Sequence, residues 1–422
     1  MQNPLELNAD ERAVLDWIDT RSEAMIETVK AWSAINSGSR NAEGLERMRA
    51  CLVTAFGELD DATIDAVDLK PSTVVEPDGR VHEQPYTPSF RCRIRPQAPI
   101  RIAMTGHHDT VFPVSSAFQN TNLWDDDTLN GPGVADMKGG ILVMLHGLIG
   151  LQRSPWKDQV GIDVLISPDE EIGSLGSAPV LAELGARADI GMTYEPALAD
   201  GSLAGARKGS GNWSLKLSGR AAHAGREHHL GRNALAAACA FGLELDGLNG
   251  RREDVTFNLA RIDGGGPPNV VPDNAVVRFN IRVKTDNDRI WVLAELERLL
   301  DMVRIRDGIG AELYGGFTRP PKPMSAANAK MFDWTRAAGS SLGLDIRWQD
   351  TGGVCEGNNL WAAGCPNVDT LGVRGADIHS DRESVKLSSF AERAKLSAVM
   401  LMKFARGEFD AREARALVQQ QN

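Results

Sequence analysis

The chain lacks any closely spaced cysteine pair. Its five cysteines, Cys51, Cys92, Cys239, Cys355 and Cys365, are scattered and odd in number. That excludes a thiolate metal site and a disulfide framework, and predicts reduced thiols that mostly fill core. Long apolar runs are missing too. The most apolar stretch, Ile141 to Leu151, is shorter than a membrane span and contains His146. There is no excess of positive charge either: a formal net charge of −11 argues against a nucleic-acid or anionic-membrane partner, since either selects a basic face. Met1 to Asp19 carries Glu6, Asp10, Glu11 and Asp16 and has neither a basic start nor an apolar centre, so no secretory signal and a cytoplasmic location are expected. Internal repeats and low-complexity segments are also absent.

What remains is an ordinary globular composition. The chain has 422 residues, 24% charged and 42% hydrophobic, enough for two or three cores. Helical spacing marks Asn8 to Asn36 and Arg40 to Leu59, and Thr73 to Tyr86 suggests a hairpin or surface loop. Strands and helices then alternate: strand Ile100 to Thr105, helix Met137 to Leu151, strand Val160 to Ile166, helix Ala178 to Leu184, strand Ile190 to Tyr194. This predicts an α/β fold with a mostly parallel sheet flanked by helices. Between residues 208 and 318 the order becomes β-α-β-β-α-β, that of a ferredoxin-like α+β unit inserted into the first domain. The expected division is 1–207 and 319–422 for the catalytic domain and 208–318 for the insertion. Helices Ala326 to Leu342 and Leu387 to Arg406 and a strand Val368 to Leu371 complete the chain, with a polar, fraying tail from Asp410.

Ligands of such sheets gather at the carboxyl ends of the strands. There the sequence offers His107 and Asp109, then Glu170 and Glu171, then Glu195. Adjacent residues leaving a strand point different ways, so Glu170 and Glu171 could divide proton transfer and metal binding. A solvated acidic turn is the alternative for these two alone. With Asp136 and His379 from nearby loops, the candidate metal ligands are His107, Asp136, Glu171, Glu195 and His379. Carboxylate and imidazole donors without cysteine suit Zn²⁺, Co²⁺ or Mn²⁺. Five are too many for one structural ion and suit two divalent ions sharing a carboxylate, with Glu170 free to act as general base.

The segments Gly106-His107-His108-Asp109-Thr110-Val111, Gly133-Val134-Ala135-Asp136-Met137-Lys138-Gly139-Gly140, Asp169-Glu170-Glu171-Ile172-Gly173-Ser174, Tyr194-Glu195-Pro196 and His379-Ser380 together resemble the M20 metallopeptidases and amidases. That group includes glutamate carboxypeptidases, acetylornithine and succinyl-diaminopimelate deacylases, and aminoacylases. The resemblance implies that His107 and Glu195 hold one metal, Glu171 and His379 the other, and Asp136 bridges them. It implies that Asp109 fixes the His107 tautomer and that the Asp136–Met137 peptide is cis. His108 would be a partly buried polar residue. Within the insertion, Gly219-Arg220-Ala221-Ala222-His223-Ala224-Gly225 resembles a lid motif whose histidine reaches the partner subunit's site. His223 would then steady the oxyanion, and Asn269 and Arg282 would contact the substrate carboxylate.

Two departures stand out. Gly352-Gly353-Val354-Cys355-Glu356-Gly357-Asn358 replaces the common Gly-Gly-x-Ser-Asp-Gly, retaining Gly353 on the substrate side, and Arg226-Glu227-His228-His229 lacks the usual proline. His228 and His229 are expected on an exposed loop, and His146 and His82 are read as structural. Arg207 and Lys208 are read as either a hinge or added positive charge. The implied activity is hydrolysis of an amide bond beside a free carboxylate in an N-acyl amino acid or short peptide, by a homodimer. A deacylase of one metabolic intermediate is the nearer alternative and a non-catalytic metal-binding relative the remoter one.

Overall fold

The computed structural model describes residues 5–419. Asn8 opens the first helix with a reciprocal cap: its side chain accepts the Glu11 N–H at 2.9 Å, and the Glu11 carboxylate accepts the Asn8 N–H at 2.8 Å. The pattern read as one stretch is two helices, Ala9–Asp19 and Ser22–Ser33, followed by Ala42–Phe56. The Glu11 carboxylate is fully buried, where Lys403 and Arg406 from the other end of the chain pair with it at 2.9 and 3.0 Å.

The main sheet has six strands in the order Ala62–Val67, Ser89–Ile94, Val160–Ser167, Ile100–His107, Ile190–Thr193, Asn367–Val368. Only Ser89–Ile94 runs against the rest. Side chains alternate along a strand, so each central strand feeds two cores. Ile102, Met104 and Ile166 join the large cluster with Ile141, Met144, Leu396 and Met400. Ala103 and Leu165, one residue out of step, join Leu181, Leu184 and Leu360 on the other face. Burial on both faces explains why Val160–Ser167 reads as a continuous apolar run. Helix Lys138–Gln152 is apolar all round because it lies under helix Ser389–Ala405. A Cβ at Gly147 would come within 2.8 Å of the Ser397 Cβ, so glycine allows the two helices to meet.

A second, four-stranded antiparallel sheet has the order Thr256–Gly264, Asn274–Val283, Gly209–Ser218, Gly310–Arg319. Helices Ala234–Asp246 and Asp286–Arg304 cover it, and the unit has its own apolar cluster, in which Trp213 stacks on Phe279 at 5.6 Å. The hairpin Ser72–Val75 and Val81–Gln84 reaches this unit: the Arg278 guanidinium donates to the Val75 carbonyl at 2.7 Å, and Gly79 lies against the Asn274 side chain. A small third sheet joins Gly375–Ala376, Ser384–Lys386, Thr128–Asn130 and Asn122–Asp125.

The tail departs from expectation. Ala411–Gln419 is a helix with Ala411, Ala414 and Val418 buried, packed on helix Ala326–Ser341 beside Trp334, Phe404 and Phe409. Residues 420–422 of the expected fraying tail lie outside the described residues, as do 1–4. The expected strand Val368 to Leu371 is only Asn367–Val368, because Thr370 turns the chain with φ of 61°. No helix among the described residues is long and apolar enough to cross a membrane. All five cysteines are free, and Cys92, Cys355 and Cys365 are buried while Cys239 is exposed.

Candidate metal centre

Five segments deliver the candidate ligands to one place. His107 is the last residue of its strand, Glu170 and Glu171 follow Val160–Ser167, and Glu195 follows Ile190–Thr193. Asp136 precedes helix Lys138–Gln152, and His379 sits in the loop between Gly375–Ala376 and Ser384–Lys386. The His107 Nε2 lies 3.1 Å from Asp136 Oδ1 and 3.7 Å from Glu195 Oε2. The His379 Nε2 lies 3.2 Å from both Asp136 Oδ2 and Glu171 Oε2. Asp136 therefore offers one oxygen to each histidine. The Asp136–Met137 peptide is cis.

These donors fit a metal. Glu171 Oε1 and Glu195 Oε1 are buried without any hydrogen-bond partner, which is costly for carboxylates unless a cation faces them. Burial pushes the Glu195 carboxyl up to about 7, outweighing the His107 imidazole; burial and Asp136 likewise hold the Glu171 carboxyl well above the usual range. Asp136 and Glu171 push the His379 imidazole up to about 11.

Residues behind the ligands fix them. His107 Nδ1 is 3.0 Å from the Asp109 carbonyl and 3.3 Å from its Oδ1, so the backbone oxygen is the nearer acceptor. The Asp109 carboxylate accepts the N–H groups of Glu170 and Glu171 at 3.2 Å each, and the Ser39 hydroxyl at 2.7 Å. Asp109 thus links the candidate histidine ligand to the acidic pair, by its carbonyl on one side and its carboxylate on the other. Asp169 is fully buried, which removes the solvent-facing option for it. Its Oδ2 accepts the N–H groups of Gly176 and Ser177 and shapes the turn. His108 is also fully buried, with neither ring nitrogen partnered, and burial lowers its imidazole to about 4.

Residues 103–403 match the peptidase family M20/M25/M40. The chain belongs to that family. Carboxypeptidase G2 of Pseudomonas sp. is 26% identical over 91% of this chain and 90% of its own length. A succinyl-diaminopimelate desuccinylase of Nitrosospira multiformis is 28% identical over 71% of this chain and 82% of its own. Among solved structures, a di-peptidase of Saccharomyces cerevisiae superposes with a TM-score of 0.70 at 13% identity, covering 94% of this chain and 98% of the other. A dinuclear metal binding M20 peptidase of Bacillus subtilis gives 0.62 at 16%, covering 92% and 99%. The protein is thus a hydrolase of the M20 metallopeptidase and amidohydrolase class.

In this M20 chain a cavity of about 400 Å³ opens beside Asp136, Glu170, Glu171, Glu195 and His379. Arg207, Arg282, Arg319, Gly353 and Cys355 line its other walls. Arg282 donates from Nε to Asn280 at 3.1 Å, while its Nη1 is buried and unpartnered. His223 and Asn269 do not line this cavity. They are exposed and close to each other, with the Ala224 N–H donating to the Asn269 carbonyl at 2.9 Å and a bridge between His223 and Val270. His228 and His229 are exposed as expected, and His146 is a buried helix residue bonding the Leu142 carbonyl.

Three charged residues of the M20 site escape the sequence reading. Arg319 donates through Nη2 to Glu170 Oε1 at 2.7 Å, to the Glu170 carbonyl at 2.9 Å and to Ser174 Oγ at 2.7 Å. Asp369 is fully buried between Arg207, which grips it with Nε and Nη2 at 2.8 and 3.0 Å, and Lys322 at 2.8 Å. Arg207 is thus neither a free charge nor a loose hinge, while Lys208 reaches Asp254 at the surface. Glu383 is the third, four residues beyond His379, a spacing that was the available signal. In the departing motif, Cys355 caps helix Glu356–Ala362, and the buried Glu356 accepts the Ser167 hydroxyl.

Proposed function

We propose that the protein is a dinuclear metallohydrolase that cleaves an amide bond whose amine side carries a free carboxylate, with a carboxypeptidase-like substrate range. His107 and Glu195 would hold one ion, Glu171 and His379 the other, and Asp136 both. The donor set supports two ions: Asp136 stands between His107 and His379, Glu195 and Glu171 lie beside one histidine each with one carboxylate oxygen left unpartnered, while Arg319 already pairs with Glu170. Zn²⁺ suits the donor set, with Co²⁺ and Mn²⁺ as substitutes. When bound, such ions make water acidic enough to serve as a nucleophile at neutral pH and polarise the amide carbonyl.

The chain supplies the rest. Glu170 takes the proton of the attacking water and returns it to the departing amine. Arg319 holds the Glu170 carboxylate, and Asp109 holds the backbone N–H of the same residue. Arg282 presents its unpartnered nitrogen to the substrate carboxylate, a planar fork suited to that anion. Gly353 lines the same cavity, on the substrate side. The exposed His223 accepts the N–H groups of Gly225 and Arg226 on Nδ1, at 3.1 and 3.2 Å, so Nε2 carries the proton in the neutral ring. That donor, offered by the 208–318 lid to the active site of a second copy, together with Asn269, completes the oxyanion and carboxylate contacts in a cytoplasmic homodimer. The similarity to a desuccinylase favours N-acyl amino acids as the alternative substrates.

The observation that carries this reading is the convergence of three carboxylates and two imidazoles beside a Glu170 fixed by Arg319. A panel of acetyl-, succinyl- and peptidyl-amino acids, assayed after chelation and again after metal add-back, tests it. Chelation should abolish turnover and add-back restore it; turnover indifferent to both would sink the metal mechanism.

A further inference from the structure

We infer that Glu383 is a positioning residue that clamps the Asp136 loop to the His379 loop and so sets how tightly the His379-side metal is held; this rests on the dinuclear reading above. Its side chain is fully buried although Glu383 lies on a surface loop. Oε1 accepts the N–H groups of Ala135 and Asp136, and Oε2 accepts that of Gly133, each at 3.0 Å. The Glu383 carbonyl accepts from the Gly131 N–H at 3.1 Å and from the Asn130 side chain at 2.7 Å. Main chain and side chain of one residue therefore satisfy four backbone N–H groups between Gly131 and Asp136, plus one amide. Buried N–H groups need partners, and a carboxylate serving three of them is a strong, directional brace.

The other end of the brace is His379. Its side chain is 54% exposed, far more than His107 at 1%, so packing does little to hold it. Its φ of 65° lies in the left-handed region, which a non-glycine residue keeps only when its surroundings impose it. What imposes it is the short turn to Glu383, where the Glu383 N–H donates to the Ser380 carbonyl at 3.1 Å and Ser384 pairs with Asn130. Glu383 does not itself line the cavity, and its side-chain hydrogen bonds go to Gly133, Ala135 and Asp136 rather than to Glu170 or Glu171. It acts only through Asp136 and His379, the two residues 3.2 Å apart that share one ion.

The test is metal content per chain, measured by mass spectrometry during titration with dipicolinate. In the Zn²⁺-loaded wild type, two ions per chain are expected. In Glu383→Gln, whose amide group would face N–H donors, the His379-side ion should leave first, at about 10- to 100-fold lower chelator concentration, while the second ion, which keeps His107 and Glu195 and shares only Asp136, should follow with a smaller shift. His379→Ala should show the same order of loss, and the double variant should lose no more than either. Glu383→Asp keeps the charge, should partly restore retention, and decides the matter if Glu383→Gln does not fold. Retention equal to wild type in the folded variants, or simultaneous loss of both ions, overturns the clamp. Absence of bound metal in the wild type overturns the dinuclear reading instead.

Discussion

Arg319 grips Glu170 twice, by its carboxylate at 2.7 Å and by its carbonyl at 2.9 Å. Since Arg319 ends the last strand of the four-stranded sheet, the orientation of the proposed base depends on that unit. Glu170→Gln should keep the metal content of the wild type and lower kcat by roughly 10²- to 10⁴-fold, as expected for loss of general-base catalysis. Arg319→Met should leave Glu170 in place chemically but free to move, lowering kcat by about 10²-fold. Steady-state kinetics beside metal analysis checks both; a Glu170→Gln enzyme with wild-type kcat removes Glu170 from the mechanism.

Asp109 serves two masters, His107 on one side and the backbone of Glu170 and Glu171 on the other. Asp109→Asn replaces an acceptor with an amide that matches only part of this set. Metal affinity should fall about 10- to 100-fold, the usual effect of removing a carboxylate behind a ligand histidine. Competition with a fluorescent zinc indicator measures it, and an unchanged affinity would mean that the Asp109 carbonyl alone orients His107.

Asp369 is a buried anion between two buried cations, and removing it leaves Arg207 and Lys322 facing each other. Asp369→Asn should cost roughly 3–5 kcal/mol in unfolding free energy at neutral pH. The pH dependence follows from the depressed carboxyl: despite the cost of burial, Arg207 and Lys322 pull Asp369 down to about 2, below its unfolded value. The stabilisation is complete above the unfolded pKa of about 3.9 and fades as pH falls through about 2. Denaturant unfolding of both proteins across that range should show the gap between them closing toward pH 2. A gap that stays constant would assign the stability to packing rather than charge.

Arg282 should discriminate free from blocked carboxylates. A charge-assisted hydrogen bond is worth about 1.5–3 kcal/mol, so esterifying the substrate carboxylate should lower kcat/KM roughly ten- to a hundredfold. Arg282→Met should show the same loss on the free acid and little further loss on the ester. Equal rates on acid and ester in the wild type would remove the clamp.

The convergence of the candidate ligands was partly legible, because His107, Glu171 and Glu195 follow short apolar runs, and parallel strands with both faces buried leave such runs. His107, Glu171 and Glu195 needed only strand ends, and Asp136 and His379 needed their motifs. Arg319, Lys322 and Asp369 were not legible, because pattern reading sends charges to the surface and only pairing in three dimensions buries them. Asp169 was undecidable for the same reason: its partners are backbone N–H groups seven and eight residues on. The closing helix Ala411–Gln419 was missed since its buried face is mostly alanine, too weak an apolar signal beside its charges.

The hairpin at Ser72–Gln84 bears on motion. The four-stranded unit is joined covalently through two neighbouring chain crossings, near Arg207 and Arg319, which by themselves would let it swing as on a single pin. The Arg278 bond to Val75, with Gly79 set against Asn274, adds a third point away from that pin. The hairpin contact therefore restrains rotation about that pin. Any wide opening of the cleft must therefore first release the hairpin or carry it along.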